Sequence, residues 1–159
     1  NYHDIIKLFC FCLMPNHYHL LLRQKEKKDI EIFMRSLNTR YGKYFNQKYN
    51  RVGHLFQGRY KATLIDKEEY FLHLSRYIHL NPKILLDGKP LVNYRWSSYP
   101  IYINNWQVDW LKKDSLLAYF KSFKKTKENN IYSYQSFVEG YKELRREEAN
   151  LYKKLMIDE

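Results

Sequence analysis

The stretch Pro15-Asn16-His17-Tyr18-His19-Leu20 sets two histidines one residue apart, directly after a turn and inside an apolar run. Successive side chains of an extended strand alternate between faces, so His17 and His19 project together while Tyr18 enters the other face. Two adjacent imidazoles can hold a divalent metal if a third donor joins them. Alone, the pair is more simply explained as two histidines placed by chance, so the rest of the chain has to supply that donor.

Lys and Arg outnumber Asp and Glu by 28 to 17, a formal charge of +11. Such an excess implies an anionic partner, either nucleic acid or a membrane surface. The 16 tyrosines favour nucleic acid in single-stranded form, because rings interleaved with cations suit unstacked bases better than duplex grooves. No run approaches the ~18 apolar residues that span a bilayer, and the N-terminus does not read as a signal peptide. A soluble, cytoplasmic protein with no membrane partner is expected. Cys10 and Cys12 lie two apart in one apolar run, a poor placement for a disulfide. They read as buried thiols of a reducing compartment, with ligation by Cys12 beside the histidines left open.

The elements that position these groups follow from pattern. Lys7 to Leu13 and His17 to Arg23 are β-compatible runs joined by the turn Met14-Pro15-Asn16, an antiparallel hairpin. Apolar residues then recur at Ile30, Phe33, Met34, Leu37, Tyr41, Tyr44 and Phe45 with helical spacing. Arg35, Arg40, Lys43 and Lys48 lie off this stripe, where a solvated face is their ordinary role. A loop from Asn50 to Tyr60 mixes Gly53 and Gly58 with Arg51, His54, Phe56, Gln57 and Arg59. Such a loop lets backbone approach a phosphate, or is simply a turn leading to a short strand at 61–65.

Asp66-Lys67-Glu68-Glu69 has the form of a capping box with Asp66 as N-cap. The helix it opens runs from about Lys67 to Leu80 and ends before Pro82. Phe71, Leu74 and Ile78 form its inward stripe. Tyr70, His73, Tyr77 and Asn81 make a polar line spaced by three and four, with Tyr77 and Asn81 one turn apart. Two further helices are expected, at about 114–123 and 133–156. The last is amphipathic through Phe137, Val138, Tyr141, Leu144, Leu151, Tyr152 and Leu155, so packing or self-association is its default role. One domain over 1–108 with a helical C-terminal extension over 109–159 accounts for the length.

Four blocks occur in order within residues 8 to 100: Leu13-Met14-Pro15-Asn16-His17-Tyr18-His19-Leu20-Leu21, Gly53-His54-Leu55-Phe56-Gln57-Gly58-Arg59-Tyr60, Arg76-Tyr77-Ile78-His79-Leu80-Asn81-Pro82 and Trp96-Ser97-Ser98-Tyr99. Together they resemble the single-tyrosine HUH transposases, and most of all the REP-associated tyrosine transposases. The resemblance implies an α+β fold with a ferredoxin-like core, whose central antiparallel sheet carries the two histidines beside packed helices. It also implies a strand and helix ahead of the hairpin; the chain opens at Asn1 without them, which would leave a sheet edge uncovered. Residue by residue, it implies metal ligands at His17, His19 and Asn81 and a nucleophile at Tyr77. The family often has Gln at the last ligand position, and Asn, one methylene shorter, demands closer approach of the helix.

The chemistry suits these positions. A phenol titrating near 10 is a weak nucleophile at neutral pH and needs a polarised phosphorus. Mg²⁺ or Mn²⁺ supplies that polarisation as a Lewis acid. The implied reaction cleaves and rejoins single-stranded DNA near hairpins through a 5′-phosphotyrosine link, leaving a 3′-hydroxyl that can later attack it. Tyr60 and Tyr70 compete as nucleophiles, although neither has a carboxamide four residues on followed by proline. Arg35, Arg40, Arg51, His54, Gln57, Arg59, Lys61 and Arg76 are candidate DNA contacts, and His79 lies off the Tyr77 line. Two other readings stay open: a nucleic-acid-binding module of the same shape without catalysis, and a metal-dependent phosphodiesterase. The protein acts as a monomer or a homodimer.

Overall fold

Ile6–Leu13 forms strand β1 and Tyr18–Gln24 strand β2 in the computed structural model, which describes residues 2–121 and 133–140. The two strands pair as an antiparallel hairpin. Its turn closes through the Met14 amide, which donates to the His17 carbonyl at 2.8 Å. Mixed helix and sheet make the fold α+β. Among the described residues the sheet has two strands, joined by isolated bridges from Leu8 to Leu111 and from Cys12 to Ser97.

The edge of β1 away from β2 is not left open. Leu13 donates its amide to the Trp96 carbonyl at 2.8 Å, and Phe11 accepts from the Ser98 amide at 3.0 Å. The Phe11 amide donates to Ser98 Oγ at 2.9 Å, while the Tyr94 and Tyr102 hydroxyls donate to the carbonyls of Leu13 and Phe9. The Trp96-Ser97-Ser98-Tyr99 block therefore satisfies main-chain groups that a neighbouring strand would otherwise take.

The described residues fall into two compact units, one drawn from 1–6 and 24–63, the other from 7–23 and from 64 onward. In the first, helix α1 spans Asp29–Lys48. Its start is held locally: Ile30 N donates to Gln24 Oε1 at 3.2 Å, and Asp29 Oδ2 accepts from the amide of Glu26, ahead of the helix, at 2.6 Å. The apolar stripe goes inward only over its first half. Met34 is buried and Phe33 meets Tyr2 edge-on at 5.4 Å, whereas Leu37, Tyr41 and Tyr44 stay exposed. Beyond α1, Asn46 Nδ2 donates to the Gly53 carbonyl at 2.7 Å. Gly53 has φ 95°, a left-handed conformation that glycine takes without a Cβ penalty. The expected strand at 61–65 does not form. Residues 61–64 are exposed, and strand propensity without a hydrogen-bonding neighbour makes no strand.

In the second unit, α2 runs Glu68–Leu80, followed by short helices α3 (Tyr99–Ile103), α4 (Lys113–Lys121) and α5 (Tyr134–Glu139). The expected Asp66 box is absent: the N-cap is Lys67, one residue later, without a side-chain cap, and Glu68 and Glu69 complement the helix dipole instead. Ile78 is buried, and Phe71 and Leu74 pack against the same core. Leu111, Leu116, Tyr134, Phe137 and Val138 lie in that core with Phe9, Cys10 and Leu21. The described residues after 108 thus contribute side chains to the same core as the strands and α2. Ser133 caps α5 reciprocally with Ser136, and the helix stops at Gly140. The expected stripe beyond it, from Tyr141 to Leu155, lies outside the described residues. No helix among the described residues is long and apolar enough to cross a membrane.

Candidate active site

His17 ends the hairpin turn and His19 is the second residue of β2. Leu21, on the same face, is buried in the core that holds Ile78 of α2, so this face of β2 is turned toward the helical layer. The two imidazoles sit 4.9 Å apart, centre to centre, nearly perpendicular. Asn16 Oδ1 lies 2.7 Å from His17 Nδ1. With the proton on Nδ1, this bond fixes the ring and leaves Nε2 as the lone-pair nitrogen, as an orienting partner of a metal-binding histidine does.

From α2, the Tyr77 ring meets His19 edge-on at 5.6 Å. Asn81 Nδ2 is 3.1 Å from His19 Nε2. Asn81 keeps helical dihedrals, φ −49° and ψ −43°, and its amide bonds back to the Tyr77 carbonyl. The helical path thus persists through the residue before Pro82, where a proline ordinarily disfavours it. This keeps Tyr77 and Asn81 one turn apart on one face. His17, His19 and Asn81 offer two imidazole nitrogens and, after a half-turn of the amide, a carboxamide oxygen. That donor set fits a divalent cation.

The family model described as Transposase IS200 like matches residues 2–81, half of the 159-residue chain. The chain belongs to this family. Transposase function and a DNA partner come with membership. No curated protein and no solved structure matches the chain. The matched segment of this IS200-like transposase ends at Asn81, so it contains His17, His19, Tyr77 and Asn81 and leaves the Trp96-Ser97-Ser98-Tyr99 block outside.

The other candidates separate by burial. Arg35, Arg40, Arg51, His54, Gln57, Arg59 and Lys61 of the transposase are exposed in the first unit. Arg76 is not a surface contact: it is 6% exposed, its guanidinium 2.8 Å from His73 Nδ1 and 4.5 Å from the Phe137 ring centre. One position before Tyr77, it points into the helix packing. Tyr70 lies beneath Lys67 Nζ at 5.2 Å, and Tyr60 belongs to the first unit. The Cys12 thiol donates to Met14 Sδ at 3.7 Å. Cys12 is buried, with a thiol pushed up to about 12 by burial. Among the described residues, no cluster of three or more His, Cys, Asp or Glu could hold a metal.

His79 turns the opposite way and is fully buried. Its Nε2 lies 2.7 Å from Ser98 Oγ and its Nδ1 2.7 Å from the Tyr134 hydroxyl. Because Ser98 also accepts from Phe11 N, this histidine ties α2 to β1 and α5. Burial holds its pKa down to about 3, against about 6.5 in an unfolded chain. The neutral ring is the folded form, so its contribution is complete above about pH 6.5 and is lost as pH falls toward 3, by roughly 1.4 kcal/mol per unit. Urea unfolding at pH 7, 6 and 5 is expected to show this loss in the wild type. His79→Gln, less stable at pH 7, is expected to show a shallower pH dependence.

Proposed function

We propose that this transposase cleaves and rejoins single-stranded DNA, at or near hairpins, with Tyr77 as nucleophile and Mg²⁺ or Mn²⁺ held by His17, His19 and Asn81. The observation that carries the reading is the convergence on His19: the Tyr77 ring at 5.6 Å and the Asn81 carboxamide at 3.1 Å. Both come from one face of α2, and β2 supplies the histidine. Groups from two elements meet in one place.

A cation bound there supplies Lewis-acid polarisation of the scissile phosphate. The protein does the remaining work. Asn16 orients His17, and Asn81 sits on the helix that presents the phenol, so ligand and nucleophile share one rigid support. Tyr77 Oη attacks phosphorus as the phenol gives up its proton. The bond from phosphorus to the 3′ oxygen breaks, and that oxygen leaves as a hydroxyl after taking a proton. The DNA 5′ end then remains esterified to Tyr77, and the reverse attack by a 3′-hydroxyl rejoins strands without an external energy source. The net positive charge of the chain brings the polyanion to the site.

Incubation with end-labelled hairpin DNA bearing single-stranded flanks tests the reading. A protein–DNA adduct that survives denaturing electrophoresis is expected with Mg²⁺ or Mn²⁺ and not with EDTA. Cleavage to free ends without an adduct would assign the site to hydrolysis instead.

A further inference from the structure

Between Glu31 and Asp66 the chain carries seven lysines and arginines and no acidic residue, and all seven cations are exposed. The same segment leaves aromatic rings in water where an amphipathic helix would bury them. Tyr41 is 47%, Tyr44 56% and Tyr49 54% exposed. On α1, Tyr41, Tyr44 and Lys48 follow at i, i+3 and i+7, so they line one face.

These rings form a connected set. Tyr41 is 6.3 Å from Tyr44 and 6.1 Å from Phe45, and Phe45 is 4.5 Å from Tyr49. Cations lie over them: Lys48 Nζ is 5.6 Å from the Tyr44 ring and 5.4 Å from that of Tyr49, and Arg51 is 5.7 Å from Phe45. A face meant for another protein is ordinarily depleted of lysine at its centre. Here lysine and arginine are placed among the rings, the composition that tracks a phosphate backbone while aromatic faces take up bases.

We propose that this face of the first unit is a stacking platform for unpaired bases of single-stranded DNA. Tyr41 and Tyr44 offer their faces to bases, and Lys48 and Arg51 meet the adjoining phosphates. The proposal rests on DNA being the partner and is separate from the chemistry assigned to Tyr77. Duplex DNA does not satisfy it, because paired bases keep their faces inside the stack.

The test measures fluorescence anisotropy of a labelled 20-nucleotide oligothymidylate and of a duplex of equal length, using the full chain carrying Tyr77→Phe so that no strand is cut. Adding Tyr41→Ala and Tyr44→Ala is expected to weaken oligothymidylate binding about tenfold or more. Adding Tyr41→Phe and Tyr44→Phe is expected to leave it within about twofold, and duplex binding is expected to change little in either variant. Lys48→Ala is expected to lower the salt slope of oligothymidylate binding by about 0.7. Unchanged oligothymidylate affinity in the alanine variant overturns the platform, and an equal loss toward duplex overturns its restriction to unpaired bases. A wild-type dimer that becomes monomeric in the alanine variant with oligothymidylate affinity intact would make the face a contact between copies, which also overturns it. If the alanine variant loses its helical circular dichroism, Tyr44→Leu and Lys48→Ala decide the matter, since wild-type affinity and slope in both overturn it. Binding that behaves as expected beside an absent covalent adduct would instead count against the Tyr77 chemistry alone.

Discussion

Tyr77→Phe is expected to lose DNA cleavage by about 10⁴-fold or more while binding hairpin DNA as tightly as the wild type. The substitution removes one oxygen from a half-buried ring and keeps the ring that meets His19. Loss of fold therefore does not explain loss of activity. The size follows from the role: a nucleophile has no substitute in the transition state, and only catalysis through binding and polarisation survives its removal. Tyr70→Phe, on the same helix but under Lys67, is expected to cleave within about twofold of wild type. Gel-resolved cleavage rates with saturating Mn²⁺, alongside oligonucleotide affinities, check both.

His19→Ala is the second large effect, an expected loss of about 1,000-fold at fixed Mg²⁺, since a bound cation contributes several kcal/mol to charge stabilisation at phosphorus. His19 is the side chain on which the others converge: its ring touches His17 and Tyr77, and its Nε2 faces Asn81. Removing it takes a proposed ligand and leaves the Asn81 carboxamide without its neighbour. Asn81→Ala is expected to cost less, about 100-fold, with the loss concentrated in the concentration of Mn²⁺ needed for half-maximal rate. Asn81→Gln restores a carboxamide and is expected to recover most of the rate. Titrating each variant with Mn²⁺ separates a ligand from a merely structural residue, because a structural defect is not rescued by more metal.

The hairpin, the end of α2 before Pro82 and the spacing of Tyr77 and Asn81 were legible because each rests on local pattern: alternation, a proline stop and i to i+4 spacing; the helical conformation of Asn81 itself runs against the proline rule. Asn16 as the orienting partner of His17 was visible only as a turn residue, since the hydrogen bond depends on how the turn closes. The Trp96-Ser97-Ser98-Tyr99 block carried resemblance but no role. Its role, with its neighbours Tyr94 and Tyr102, in holding the outer edge of β1 depends on contacts 81 to 93 residues apart in sequence, such as Tyr94 with Leu13 and Phe9 with Tyr102, which no window of local sequence contains. Arg76 misled for the opposite reason. Charge read from sequence places an arginine in solvent, whereas this one lays its guanidinium on Phe137, a stacking arrangement that lets it be buried. Asp66 lies one residue ahead of the N-cap, Lys67, whose extended backbone opens the helix without a side-chain cap.

Location of the covalent link is the most direct measurement of the proposed chemistry. After reaction with hairpin DNA and Mn²⁺, the adduct is trimmed with nuclease, digested with trypsin and sequenced by tandem mass spectrometry. The nucleotide phosphate is predicted on the peptide of residues 77–83, which contains a single tyrosine, Tyr77. Phosphate on the peptide of residues 68–76 through Tyr70, or on Tyr60 in residues 60–61, would contradict it.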